Sequence, residues 1–273
     1  MSFGRQDPRF YDHPDGYKVP SVTTILSLLD KGPFLDKWKI QCAIDYIKEN
    51  SDLHLLRSYK CGFIPDNLEP VLSAHKTKSK EATDIGTEIH LMAEQILNDE
   101  FDSCLPSELY QNFAIEFVKW IEKYNVKPIA MEGVLYGDGY AGRFDLVCEI
   151  DPFWATKSWY KLSGEKLGWP QTVLIDLKTG KGQYYNEHGI QLAAYHKAFN
   201  DENKIFRVDY HGVLKYNKET MKLNYKDFTY HEITVGPKDE RVKKVLTYQD
   251  DLDSFLRLKD FYWLNNMKGK TWN

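Results

Sequence analysis

No stretch of roughly 18 consecutive apolar residues occurs anywhere in this 273-residue chain, so no transmembrane helix is expected. The opening residues, Met1-Ser2-Phe3-Gly4-Arg5-Gln6-Asp7-Pro8, carry neither the basic nor the apolar region of a secretory signal. The expectation is a soluble, intracellular, cytoplasmic protein with no membrane partner. Cysteine is scarce: Cys42, Cys61, Cys104 and Cys148 are far apart and form no Cys-x-x-Cys pair. That spacing signals neither a zinc knuckle nor an iron–sulfur cluster, and reduced structural thiols are expected. An excess of positive charge is also missing, with 36 Lys and Arg against 40 Asp and Glu and a net charge of −4. A generic coat protein held on nucleic acid by charge alone is thereby excluded. Internal repeats and low-complexity segments are absent.

What is present suits a folded α/β or α+β chain. Apolar residues make up 42%, and aromatic content is high, with 18 Tyr, 14 Phe and 7 Trp. This supports one large domain with additions or two smaller ones. Residues 1–75 read as a helical N-terminal region: Ser21 is placed to cap a helix after Pro20, with Ile25, Leu28 and Leu29 in period, and a second helix spans Phe34 to Ile47. Residues 76–273 read as the main body. Helices are expected over Thr77–Leu97 and Ser107–Tyr124 as covers for a sheet. Strands follow at Ile129–Tyr136, Gly142–Ile150 and Thr172–Lys178, the first two forming an antiparallel hairpin about Gly137-Asp138-Gly139. A polar insertion with Trp154, Trp159, Tyr160 and Trp169 occupies 151–171. A helix near Glu187–Phe199, strands at Ile205–Leu214 and Phe228–Val235, and a terminal helix from about Lys238 to Asn265 complete the reading.

Chemistry concentrates in Asp176-Leu177-Lys178, at the end of the apolar run Val173-Leu174-Ile175. Side chains alternate along a strand, so Asp176 and Lys178 share one face and Leu177 takes the other. Alone, the triplet reads as a strand-end salt pair. Other residues enlarge it. Asp145 sits in an otherwise apolar strand, where a carboxylate is costly unless paired or bound to a metal. Two carboxylates on adjacent strands beside a lysine suit hard divalent cations such as Mg²⁺ or Mn²⁺. Gly86, His90 and Glu94 share a helical stripe, and His90 could reach the metal from the covering helix. Gln191 and Tyr195 lie one turn apart on the next helix and could contact a phosphate or orient Lys178. Glu132 opens the first strand.

In this order, His90 within Gly86-Thr87-Glu88-Ile89-His90, Asp145 in Gly-x-x-Asp, Asp176-x-Lys178 and Gln191-x-x-x-Tyr195 resemble the PD-(D/E)xK nuclease superfamily, in its RecB-like exonuclease branch. Val19-Pro20-Ser21-Val22-Thr23-Thr24-Ile25-Leu26 is similar to the N-terminal opening of phage and mitochondrial genome-maintenance exonucleases of that branch. The resemblance implies a restriction-endonuclease-like core, a mixed central sheet of about five strands flanked by helices. It implies metal ligands at His90, Asp145, Asp176 and the Leu177 main-chain carbonyl, holding one or two Mg²⁺ or Mn²⁺ ions. Lys178 becomes the catalytic lysine, and Gln191, Tyr195 and Glu132 support the site.

The sequence departs from many members in having Asp176 where Glu is common, and it lacks the cysteines of the iron–sulfur members. The expected activity is metal-dependent hydrolysis of phosphodiester bonds in DNA, at ends or single strands. An endonuclease of the same fold or a non-catalytic DNA-binding subunit are the alternatives. Arg143, Lys181, Tyr184 and Tyr185 are the candidate nucleic-acid contacts.

Overall fold

A computed structural model of the chain describes residues 9–29, 32–50, 69–101, 107–151, 170–180, 185–235 and 241–266. Phe10–Asp12 (β1) and Lys18–Pro20 (β2) form a short antiparallel ribbon. Ser21 then caps Val22–Leu26 (α1), its hydroxyl accepting the Thr24 amide at 3.0 Å. The period expected to continue through Leu28 and Leu29 breaks after Leu26. There Ser27 donates its hydroxyl to the Thr24 carbonyl at 2.6 Å, a side-chain bond that competes with the helix ladder. Two longer helices follow, Gly32–Glu49 (α2) and Glu69–Leu97 (α3). The second starts earlier than Thr77 because Pro70 falls in its first turn, where a missing amide costs nothing. Glu108–Tyr124 (α4) ends on Asn125 in the left-handed conformation, φ 47°, a usual helix stop.

Contacts group Met1–Leu28 with Glu88–Asn273 as one compact unit and Leu29–Thr87 as another, a division drawn along different lines from the expected one near residue 75. Within the smaller unit, Lys78 pairs with Asp45 at 3.2 Å and the Trp38 ring meets His75 edge-on.

The larger unit is built on strands Lys127–Met131 (β3), Val134–Gly137 (β4), Tyr140–Arg143 (β5), Leu146–Ile150 (β6) and Gln171–Thr179 (β7). After them come helix Asn186–Glu202 (α5) and strands Tyr210–Asn217 (β8) and Lys222–Asp227 (β9). Strands Tyr230–Val235 (β10) and Val242–Thr247 (β11) and helix Tyr248–Asn266 (α6) complete it. Five strands make a mixed sheet in the order β3-β6-β7-β8-β9. Only the β7/β8 pair is parallel, as its connection through α5 requires. No helix among the described residues is long and apolar enough to cross a membrane.

Three expectations need correction. The two strands of the first hairpin are not continuous: each bends, at Glu132-Gly133 and at Phe144-Asp145, so β4 and β5 leave the main sheet as a separate pair. The bend is still bonded across, Glu132 N–H to the Asp145 carbonyl at 2.9 Å and Phe144 N–H to the Gly133 carbonyl at 3.0 Å. A side chain at Gly133 would run into the Phe144 ring, and Glu132 holds φ 49°, so the bend rests on a glycine and a left-handed neighbour. Second, the terminal helix begins at Tyr248 rather than Lys238, since alternating Val242 to Thr247 pairs with β10. Thr247 and Asp250 then cap each other, the Asp250 carboxylate accepting the Thr247 amide at 2.9 Å. Third, β9 stands where no strand was expected, and β8 runs from Tyr210 to Asn217 rather than from Ile205 to Leu214.

Alternation fixes the two faces of the sheet. Ile175, Leu177, Leu214 and Tyr216 face α3 and α4, where Phe113, Phe117 and Trp120 stack in sequence and Tyr216 donates its hydroxyl to the Leu109 carbonyl at 3.0 Å. Leu174, Asp176, Lys178, Val213 and Lys215 face the other way, toward the side covered by α5 and α6. There buried His196 and His211 meet Nδ1 to Nδ1 at 2.9 Å, and His196 stacks on Tyr248. Cys42 and Cys148 are buried free thiols; Cys61 and Cys104 lie outside the described residues.

Candidate metal centre

The bend at Phe144-Asp145 creates the site. Pairing of β6 with β7 ends at Leu146 opposite Ile175, so two residues further on, the Leu177 amide and carbonyl face the gap that β6 has vacated. Polar backbone groups left there need partners. Asp145 Oδ2 accepts the Leu177 N–H at 2.6 Å, and His90 Nε2 lies 2.9 Å from the Leu177 carbonyl oxygen. Because a carbonyl can only accept, Nε2 carries a proton there. His90 Nδ1 in turn stands 3.5 Å from Glu132 Oε1 and 3.6 Å from Asp145 Oδ1. Three elements thus converge: α3 brings the imidazole, and the two arms of the bent hairpin each bring a carboxylate.

Candidate ligand atoms of His90, Glu132 and Asp145 lie within 4.8 Å of one another, the one such group of His, Cys, Asp or Glu among the described residues. Burial opposes charge on His90, but Asp145 and Glu132 outweigh it and raise its pKa to about 9. Burial lifts the Asp145 carboxyl to about 6, with His90 opposing and Asp176 adding to the rise. Glu94, one turn beyond His90, lines the same cavity. Its Oε2 is buried without a hydrogen-bond partner, and burial followed by the Glu132 charge pushes its pKa up. Crowded acids around one imidazole are poorly neutralised by His90 alone. Two carboxylates, a main-chain carbonyl and an imidazole suit a hard or borderline divalent cation, and the imidazole fits Mn²⁺ at least as well as Mg²⁺.

Asp176 is not part of the close group. It lies on the α5 side of β7, where the Lys178 ammonium sits 2.8 Å from each of its carboxylate oxygens. The pair is adjacent to the cluster, since Asp145 feels both charges. Lys178 is raised despite its burial, through Asp176 and Asp145. Gln191 and Tyr195 stand together, the amide donating to the phenol oxygen at 3.2 Å. Gly142 makes room for that ring, since a side chain there would strike Tyr195. Arg143 ends β5 partly buried, with Nε lacking a hydrogen-bond partner. Tyr185 stands at the N-cap of α5 and is 57% exposed. Lys181, Tyr184 and the tryptophans of the 151–171 insertion lie outside the described residues.

Glu132 is closer to the centre than a supporting role implies, and Glu94 received no role from the sequence. A signal existed for each: Glu132 precedes Gly133 in a strand, a bend marker, and Glu94 follows His90 at i+4. No family model matches the sequence, and no curated protein matches it.

Proposed function

We propose that this chain is a metal-dependent DNA exonuclease of the PD-(D/E)xK type, hydrolysing phosphodiester bonds at ends or in single strands. The observation that carries the reading is the convergence of His90, Glu132 and Asp145 on the Leu177 backbone, with Asp176 and Lys178 beside them. The mixed sheet, with its parallel β7/β8 step through α5, fits a restriction-endonuclease-like core. His90, Glu132, Asp145 and the Leu177 carbonyl would hold the cation, with Asp176 next to them. A divalent cation held there supplies Lewis acidity at the scissile phosphate. Asp145 fixes the Leu177 backbone, and Glu132 and Asp145 orient His90. Lys178 offers a compact ammonium beside the reacting group, able to position water or offset charge on the phosphate. Gln191 and Tyr195 support the strand end from α5.

The test uses end-labelled linear and closed circular DNA, single- and double-stranded, with Mg²⁺, Mn²⁺ or EDTA. Degradation of linear substrates with a divalent ion and none in EDTA is expected. Cutting of circles as fast as linear DNA makes the enzyme an endonuclease, and metal-independent binding without cleavage makes it a binding subunit.

A further inference from the structure

The side of the sheet that carries Asp176 and Lys178 continues outward as a row of basic side chains. Register places Asp176 beside Val213 and Val213 beside Lys226; Lys178 lies beside Lys215 and Lys215 beside Asn224; Asn217 lies beside Lys222. Paired residues point to the same side, so Lys178, Lys215, Lys226, Asn224 and Lys222 share one face. The opposite face of β8 and β9 presents Leu214, Tyr216, Leu223 and Tyr225 instead. From β7 to β9 is two strand spacings, about 10 Å, and Lys226 to Lys222 adds about 13 Å along the strand. Burial pushes the Lys215, Lys218 and Lys226 ammonium groups below their usual pKa, and Lys226 Nζ lies 4.7 Å from the centre of the Phe228 ring. Among the described residues, Asp176 and Glu187 at the start of α5 act on Lys178 at the inner end of this row. The row runs from the carboxyl end of β7, beside the α5 N-terminus, where α/β sheets commonly receive anionic ligands. At that end Tyr185 offers an exposed ring set edge-on to His188, and His188 senses Asp176, Lys178 and Lys215 together.

We propose that the face of β8 and β9 bearing exposed Lys222 and half-buried Lys226, with Lys215 buried beneath it, is the track along which the backbone of single-stranded DNA runs to Asp176 and Lys178, with a base stacked on Tyr185. The track rests on the phosphodiesterase reading above for its destination, but not for its charge or register. A single strand fits because its bases are free to stack on an aromatic ring, which a duplex does not allow without opening.

Fluorescence anisotropy with a labelled oligothymidine, over a salt series in EDTA, reads the track. Bis(p-nitrophenyl) phosphate with Mn²⁺ reads the site alone, being too small to reach β9. Each lost phosphate contact on a single strand should lower the slope of log K against log salt by roughly 0.7, so Lys222→Gln/Lys226→Gln should lower it by roughly 1.4 and weaken binding about 25-fold at 0.1 M salt. Turnover of the small diester should not change, and Lys119→Gln, on α4 and paired with Glu116, should bind as the unaltered protein does. A double variant with unaltered slope and affinity overturns the track, and so does an unaltered protein that fails to bind the oligonucleotide. Equal affinity for a blunt duplex overturns the single-strand assignment. If the double variant fails to fold, Lys222→Gln alone, on an exposed edge position, decides by its slope change of roughly 0.7. Loss of slope in the variant, with no diester turnover by the unaltered protein, leaves the track standing and refutes the nuclease reading.

Discussion

Replacing Asp145 by asparagine separates two jobs that one carboxylate performs. The asparagine amide keeps an oxygen to accept the Leu177 N–H, now bonded at 2.6 Å, but removes the charge that faces His90. In the folded protein the Asp145 carboxyl is raised from 3.8 to about 6. Its ionisation therefore costs about 3 kcal/mol of stability once the pH has risen past both values. His90 is raised from 6.5 to about 9, which contributes about 3 kcal/mol, complete below pH 6.5 and lost as the pH rises through 9. The attraction between Asp145 and His90 is contained in both shifts, so Asp145→Asn relieves the buried carboxylate and loses that attraction together, two effects of opposite sign. Metal-free stability should then stay within about 1 kcal/mol of the unaltered protein, a change in Tm of about 2–4 °C for a chain of this size.

The cation response is where the variant should differ. At a Mn²⁺ concentration one hundred times Kd, binding stabilises the unaltered protein by about 2.7 kcal/mol. A tenfold loss of affinity in the variant reduces this to about 1.4 kcal/mol. Differential scanning calorimetry in EDTA and in Mn²⁺ measures both, and end-labelled DNA should show cleavage reduced at least about 100-fold. An Asp145→Asn protein with the full Mn²⁺ shift and full cleavage would refute the centre. A metal-free loss above about 3 kcal/mol would show that Asp145 serves mainly to hold the bend.

Glu132→Gly should not lower metal-free stability, because relief of a non-glycine residue at φ 49°, about 1–2 kcal/mol, offsets the loss of its half-buried pairing with His90. The Mn²⁺-induced shift in Tm should shrink, and a less stable variant in EDTA would contradict the strain. Gly142→Ala should lower stability by about 1–3 kcal/mol in urea denaturation, since its methyl group strikes the Tyr195 ring and parts it from Gln191; unaltered stability would contradict that packing. Burial depresses His196 to about 4, so between pH 6.5 and 4 the unfolded chain takes a proton that the folded chain refuses. Stability is therefore lost as the pH falls through that window, by about 3 kcal/mol from this group. In His196→Phe that contribution should vanish, narrowing the gap to the unaltered protein between pH 7 and 4; a constant gap would refute it.

The sequence displayed the chemistry more readily than the geometry. Helix α4 was legible because Phe113, Phe117 and Trp120 recur on one face with Ser107 and Asn125 at its ends, and β7 because its apolar run is long. The candidate ligands His90 and Asp145 stood out as polar residues in apolar settings. The hairpin bend did not, since Glu132-Gly133 and Phe144-Asp145 are eleven residues or more apart and only their hydrogen bonding across the ribbon reveals the break. The same bend explains why Glu132 joins the group while Asp176 faces the other side of β7. Strand β9 was missed although Lys222-Leu223-Asn224-Tyr225-Lys226 alternates cleanly, because its polar face is basic and reads as solvated surface. Thr247 and Asp250 spell a helix start that the longer periodic run obscured.

The contacts at Leu177 bridge very different distances along the chain: 32 residues to Asp145 and 87 to His90. Closing such loops is entropically expensive and comes late in folding, after neighbouring strands have paired. A cation held there would tie together segments that late loop closure leaves apart in the transition state. Its stabilisation accordingly falls on the unfolding rate, with refolding little changed. A divalent ion held there would act as a brake on opening, so that resistance to heat and protease in its presence would track how slowly the loops come undone.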